Sequence, residues 1–162
     1  MQRKQFLKVC LAGAVVLAGA AHAKPQLTVD AAGNVDVSKY KTYSWVKTHP
    51  PAGFNSVRYQ RALDNINAKM AAKGYRHAAP SDFVLALTVG KRQKVDVDSW
   101  HHYGYRDVYT RTEGEVAIDA FDAKTKRALW HGKITDVINP KKPDPAKADA
   151  ALTKLLERFP AH

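Results

Sequence analysis

Two carboxylates and two histidines lie close together in the chain and have the side chains that bind a transition metal. They are Asp96, Asp98, His101 and His102. Imidazole and carboxylate groups are ordinary ligands of zinc, nickel and copper, and adjacent histidines in a loop can turn toward the same ion. A solvated hairpin tip is rich in the same residue types without a metal, so the pattern leaves both interpretations open.

Aromatic and basic residues are interleaved with this cluster and indicate a second kind of site, a contact surface for an anionic partner. The candidate binding residues are Arg92, Lys94, Trp100, Tyr103, Tyr105 and Arg106. Tyrosine and tryptophan bury a large area at a small entropic cost, and the basic side chains add cationic donors. Basic residues near strand ends also protect a sheet against aggregation, which is a purely structural role for them.

Motifs of the common enzyme classes are not found in the sequence. It contains no Gly-x-Ser-x-Gly, no His-Glu-x-x-His, no Gly-x-Gly-x-x-Gly and no Walker loop. We therefore expect no cofactor and favour a binding module over an enzyme. The alternative is a metal-binding protein or metal-dependent hydrolase that uses Asp96, Asp98, His101 and His102.

The first 23 residues have the three parts of a cleavable signal peptide. Its basic residues are Arg3, Lys4 and Lys8. An apolar run from Val9 to Ala21 follows, too short to span a hydrocarbon core about 30 Å thick. Small residues at Ala21 and Ala23 then fit a cleavage site between Ala23 and Lys24. We expect export to the periplasm or beyond, with no transmembrane anchor after cleavage.

Cysteine usage and charge constrain what the mature chain can be. Cys10 is the only cysteine, and Lys8 and Val9 before it do not fit a lipid-attachment site. Loss of the three basic residues of the signal peptide lowers the net charge from +11 to +8. A basic protein outside the cytoplasm encounters lipid phosphates, anionic polysaccharides and acidic proteins. We expect an anionic envelope component or an acidic protein as partner, and no nucleic acid.

Hydrophobic periodicity predicts the elements that must position these residues. Alternation with a period of two predicts strands at 26–29, 40–46, 81–97, 108–122 and 128–138. Apolar stripes with helical spacing predict one helix at 57–73, capped by Asn55 or Ser56, and a second from Pro145, capped by Asp144. We expect one α+β domain over residues 24–162, with an antiparallel sheet of N-terminal strands plus a three-strand meander and two helices on one face.

Several short motifs follow one another in an order that is typical of one protein family. They are Tyr40–Trp45, Lys73–Tyr75, Ser81–Phe83, Glu113–Asp119, Asp122–Lys124, Leu129–Gly132 and Arg158–Pro160. In this order they resemble the bacterial envelope family known as domain of unknown function 4136 (DUF4136). The resemblance implies an exported α+β domain without an assigned reaction or catalytic residues. It also implies that Trp45 and Trp130 are core aromatics, that Gly74 ends a helix and that Gly114 is a bulge or a close contact.

The signal peptide leads to a prediction about the mature N-terminus. The exported protein should begin at Lys24, because the small residues at Ala21 and Ala23 fit the peptidase cleft. N-terminal sequencing of protein from the periplasmic fraction measures this directly. Recovery of a chain that retains Met1 in the membrane fraction would contradict it.

Overall fold

The computed structural model describes residues 24–33, 36, 39–46, 49–99, 106–139 and 141–162, and of 96–99 and 106–109 only the backbone. The elements within this part of the chain are β1 (Gln26–Ala31), β2 (Thr42–Trp45), α1 (Ser56–Ala72), β3 (Arg76–His77), β4 (Phe83–Ser99), β5 (Arg106–Asp122), β6 (Ala128–Val137) and α2 (Pro145–Leu156). Neither α1 nor α2 has the length and apolar composition that a membrane crossing requires.

The strands form one mixed sheet in the order β1-β6-β5-β4-β2-β3. The α+β class is confirmed, and β4, β5 and β6 pair antiparallel in chain order, as expected. The expectation of a purely antiparallel sheet is wrong, because β2 runs parallel to both β3 and β4. The reason is α1, which lies between β2 and β4 in the chain. A helical crossover brings the chain back in its original direction, so the strands on either side of it pair in parallel.

Both helices begin and end at residues whose chemistry suits a terminus. The side chain of Asn55 caps α1 by accepting the backbone N–H of Arg58 at 3.0 Å. Gly74 follows α1 with φ +93°, a left-handed conformation that glycine adopts without a steric penalty. Asp144 caps α2 through two first-turn amides, with Pro145 as the first helical residue. The predicted caps and the predicted role of Gly74 are confirmed.

The core lies between the two helices and one face of the sheet. Its largest fully buried side chains are Tyr43, Ile66, Met70, Tyr75, Phe83, Leu85, Ile118, Leu129, Trp130, Leu155, Leu156 and Phe159. Trp130, predicted as a core aromatic, is 2% exposed and packs edge-on against Phe159 with ring centroids 4.9 Å apart. Trp45 is only partly buried, and its indole N–H donates to Asn67 at 3.0 Å.

The helices are too short to cover the whole face on which they pack. Strands β4 and β5 have 17 residues each, which corresponds to about 56 Å of extended chain. Helix α1 also has 17 residues but is only about 25 Å long. On the helix side of β4, Leu85 is fully buried, Val89 is partly buried and Val95 is 57% exposed. Within the described side chains, the face is therefore covered near Leu85 and exposed at Val95.

Two aspartates attach the chain near β2 to the covered end of the sheet. The carboxylate of Asp82 accepts the backbone amides of Lys41 and Thr42 at 2.9 Å each and the hydroxyl of Thr42 at 3.0 Å. These hydrogen bonds, the one from the Lys41 amide first, hold the pKa of Asp82 below its usual range. Asp82 therefore fixes the start of β2 beside the start of β4.

Asp122 makes the equivalent attachment at the turn between β5 and β6. Its carboxylate accepts the backbone amides of Thr125 at 2.7 Å and Lys124 at 2.9 Å, and the hydroxyl of Tyr40 at 2.8 Å. The amide of Thr125 is the largest cause of a pKa lowered to about 2. The ionised carboxylate thus closes the turn and holds the segment that precedes β2.

These carboxylates predict a loss of stability in acid. Because both folded pKa values lie below the ordinary value, the stability that the carboxylates contribute is present above about pH 4 and is lost as the pH falls, for Asp122 through its folded pKa of about 2. Urea unfolding across this range should show a falling free energy of unfolding, and Asp122→Asn should flatten the slope. The control Asp30→Asn, at an exposed carboxylate of β1, should keep it. An unchanged slope in Asp122→Asn would contradict this role.

The packing of Trp130 predicts the effect of adding one methyl group. A Cβ at Gly132 would lie 2.0 Å from Cη2 of Trp130, because the indole ring lies across the glycine. Gly132→Ala should lower the free energy of unfolding by about 1–3 kcal/mol, the usual cost of overpacking. Gly90→Ala, where a Cβ meets nothing within 4 Å, is the matched control and should unfold like the wild type. Equal stability of both variants would show that the ring moves aside without cost.

Candidate functional site

A groove of about 800 Å³ lies where the two helices cease to cover the sheet. Its walls are the first turns of α1 and α2 and the 51–54 loop. Its floor is the helix side of β4, β5 and β6 near residues 89–91, 114–116 and 134–138. The groove therefore marks the boundary between the covered and the bare parts of the face.

The floor of the groove is apolar and continuous across three strands. The register places Val89 opposite Val116 and Val116 opposite Ile134. Ile138 lies against Gly114, where an added Cβ would come within 2.9 Å of its Cγ2 atom. The prediction that Gly114 is a bulge or a close contact is confirmed as a close contact. None of these side chains can donate or accept a hydrogen bond, so the floor suits an apolar ligand group.

Two ion pairs and a helix cap engage three carboxylates at the rim. Arg61 on α1 holds Asp149 on α2, with Nε 3.2 Å from Oδ2. Lys147 on α2 holds Asp136 on β6, with Nζ 3.0 Å from Oδ2. The third carboxylate, Asp144, caps α2. These contacts attach α2 to α1 and to β6 at the groove.

Three further basic side chains line the groove, and no described carboxylate pairs with them. Arg58, Lys91 and Lys142 have no ion-pair partner among the residues that the structure describes. Glu115 also borders the groove, but strand alternation directs it to the opposite face from Val116. The rim therefore presents net positive charge above an apolar floor.

The predicted basic residues of β4 lie on the other face of the sheet, away from the groove. Arg92 is paired in register with Glu113, and its Nε donates to Oε2 at 2.9 Å. Nζ of Lys94 and Nε of Arg111 approach Oε1 of the same carboxylate at 3.9 and 3.4 Å. The Arg92 hydrogen bond is the first cause of a Glu113 pKa below its usual range. Arg92 and Lys94 thus form a cross-strand ion cluster with a buried glutamate.

Three of the remaining predicted site residues, Asp96, Asp98 and Arg106, lie in the far part of the described hairpin. The backbone of β4 pairs Asp96 with Tyr109 and Asp98 with Asp107, and Arg106 begins β5. Side chains of this part are not described, and Trp100, His101, His102, Tyr103 and Tyr105 lie outside the described residues altogether. In the part of the chain that is described, no group of three or more His, Cys, Asp or Glu side chains is placed to hold a metal. The metal cluster and the aromatic tip stay predictions.

One pair that no sequence motif indicates has the geometry of a base and its orienting group. Nδ1 of His131 lies 2.6 Å from Oδ1 of Asp119, directly across the β5–β6 ladder. Nucleophilic catalysis also needs a hydroxyl or thiol beside the base. The positions directly opposite His131 in the register are Asp119 on β5 and Asp30 on β1, and neither carries a hydroxyl or a thiol. The pair therefore serves as a cross-strand contact.

The groove is not predicted by any sequence motif, although the lengths of the predicted elements contain a signal for it. Predicted strands of 15 residues or more extend far beyond predicted helices of similar residue number, because a strand rises about 3.3 Å per residue and a helix about 1.5 Å. Apolar positions such as Val89 and Val116 continue the core face past the helices. Arg58 and Lys91 join the groove only through packing of α1 on β4, which no local pattern reveals.

Comparison with known families decides the classification. A family model described as domain of unknown function (DUF4136) matches residues 27–161. The chain belongs to the DUF4136 family. The match covers almost all of the chain after the predicted signal peptide and confirms the resemblance found in the sequence motifs. Comparison with curated proteins gives no match.

Solved structures share the DUF4136 fold at low sequence identity. A DUF4136 family protein from Bacteroides thetaiotaomicron has a TM-score of 0.57 at 11% identity, covering 83% of this chain and 95% of its own. The PelC dodecamer from Paraburkholderia phytofirmans has a TM-score of 0.54 at 12% identity, covering 86% of this chain and 100% of its own. A PDZ domain protein from Parabacteroides distasonis has a TM-score of 0.52 at 11% identity, covering 86% of this chain and 37% of its own.

Proposed function

We propose that this protein is an exported, periplasmic binding module that holds an apolar or amphipathic small molecule in the groove and performs no reaction. The observation that carries the proposal is the groove itself. Its volume of about 800 Å³ is within the range of about 300–1,000 Å³ for small-molecule sites. Such sites combine apolar walls with a few polar groups at the edge, as this one does.

The N-terminal sequence supports the proposed periplasmic location. The basic start, the short apolar run and the small residues before Lys24 together support export. Cys10 lacks the sequence context for lipid attachment, which supports release into the periplasm. An envelope compartment supplies amphipathic lipids, which suit the apolar floor, and anionic polymers, which suit the positive net charge of the chain.

The groove is a better candidate than the basic surface of β4. Arg92 and Lys94 approach Glu113, so an anionic ligand there competes with an internal carboxylate. The groove carboxylates Asp136 and Asp149 are themselves held by cations of the protein. A ligand in the groove meets an apolar floor without first breaking an ion pair.

A variant that fills the groove tests the proposal with a neutral apolar dye. Ala148 lines the groove on an exposed position of α2, so Ala148→Trp should occupy the space without disturbing the core. Titration with Nile red should give saturable fluorescence with the wild type and binding at least about tenfold weaker in the variant, an energetic loss of about 1.4 kcal/mol. Ala150→Trp, exposed on α2 but outside the groove, is the matched control.

This titration distinguishes dye bound in the groove from dye bound elsewhere on the protein. Equal Nile red binding by Ala148→Trp and the wild type would refute the proposal. PelC forms a dodecamer, so a second copy of this chain is the competing occupant of the groove. Sedimentation of the wild type and both variants measures the oligomeric state. An oligomer that Ala148→Trp dissociates and Ala150→Trp leaves intact would favour the groove as a contact between copies.

A further inference from the structure

We propose that the ligand of the groove is a single-chain amphiphile with an anionic head group, such as a fatty acid or an alkyl phosphate. This inference rests on the proposed function and specifies its ligand. The apolar floor would hold the alkyl chain, and the cations of the rim would hold the head group.

The floor selects for an alkyl chain over a sugar or a peptide. Val89, Val116, Ile134 and Ile138 offer no hydrogen-bond donor or acceptor from their side chains. A polar ligand placed on them loses its hydrogen bonds to water and gains none, which is costly. An alkyl chain has no such bonds to lose and gains the full effect of leaving water.

The rim selects for a negative head group. Asp136 and Asp149, which line the groove, are already paired with Lys147 and Arg61. The cations Arg58, Lys91 and Lys142 line the same groove and have no ion-pair partner in the described part of the chain. A carboxylate or phosphate meets their charge, whereas a cationic head group is repelled by it. Because these cations lie near solvent, their contribution should weaken as salt rises.

Isothermal titration with ligands below their micelle concentration tests the chain and the head group separately. Dodecanoate should bind one molecule per chain, and decanoate should bind about fifteenfold more weakly, because each buried methylene contributes about fourfold. Monododecyl phosphate should bind at least as well as dodecanoate. A preference for it would indicate a phospholipid source, and equal binding would indicate that charge alone is recognised. Dodecyl maltoside, which is neutral, should bind more weakly than both.

Charge variants test the assignment of the head group. Arg58→Ala combined with Lys91→Ala should weaken dodecanoate binding about three- to tenfold, as expected for exposed ion pairs, and should leave dodecyl maltoside binding unchanged. The matched control combines Arg76→Ala with Lys154→Ala, which removes the same charge from exposed positions outside the groove.

Failure of this inference can be told apart from failure of the proposed function. If Nile red binds in the groove but decanoate and dodecanoate bind equally, or neutral and anionic amphiphiles bind equally, the ligand class is wrong while the groove remains a binding site. Equal loss of dodecanoate binding in the two charge variants would also overturn the inference, because it would show a general effect of net charge.

Discussion

The length of the β4–β5 hairpin relative to the helices determines the organisation of this protein. Each strand extends for about 56 Å, whereas α1 is about 25 Å and α2 about 18 Å long. The two helices can therefore bury only one end of the face on which they pack. At the boundary the apolar pattern of the strands continues while the helices stop, and a groove with an apolar floor results.

Side-chain packing and hydrogen bonds fix the end of the sheet that the helices cover. The indole ring of Trp130 occupies the space above Gly132, and Asp82 and Asp122 attach the segment around β2 to the sheet. At the boundary, ion pairs between α1 and α2 and between α2 and β6 hold the walls of the groove. Exposed pairs of this kind contribute at most about 1 kcal/mol each, so their main effect is on the position of the helices.

Local patterns in the sequence predict most elements of this fold and little of its site. Helix α1, its Asn55 cap and its Gly74 terminus follow from side-chain periodicity and backbone chemistry over a few residues. The parallel pairing of β2 depends instead on how the chain crosses the sheet through α1. Arg92 meets Glu113 across a register that spans the whole hairpin, which converts a predicted binding residue into part of an internal ion cluster. The groove depends on the reach of two packed helices, and no single segment encodes it.

Methyl-detected NMR with a protonated alkyl ligand tests the central claim most directly. With dodecanoate bound to protein labelled at isoleucine, leucine and valine methyls, we predict intermolecular nuclear Overhauser effects from the chain methylenes to Val89, Val116 and Ile134. Val84, on the opposite face of β4, should show none. Contacts to Val84 without contacts to the three groove residues would contradict the account, because the ligand would then lie on the face that the helices do not border.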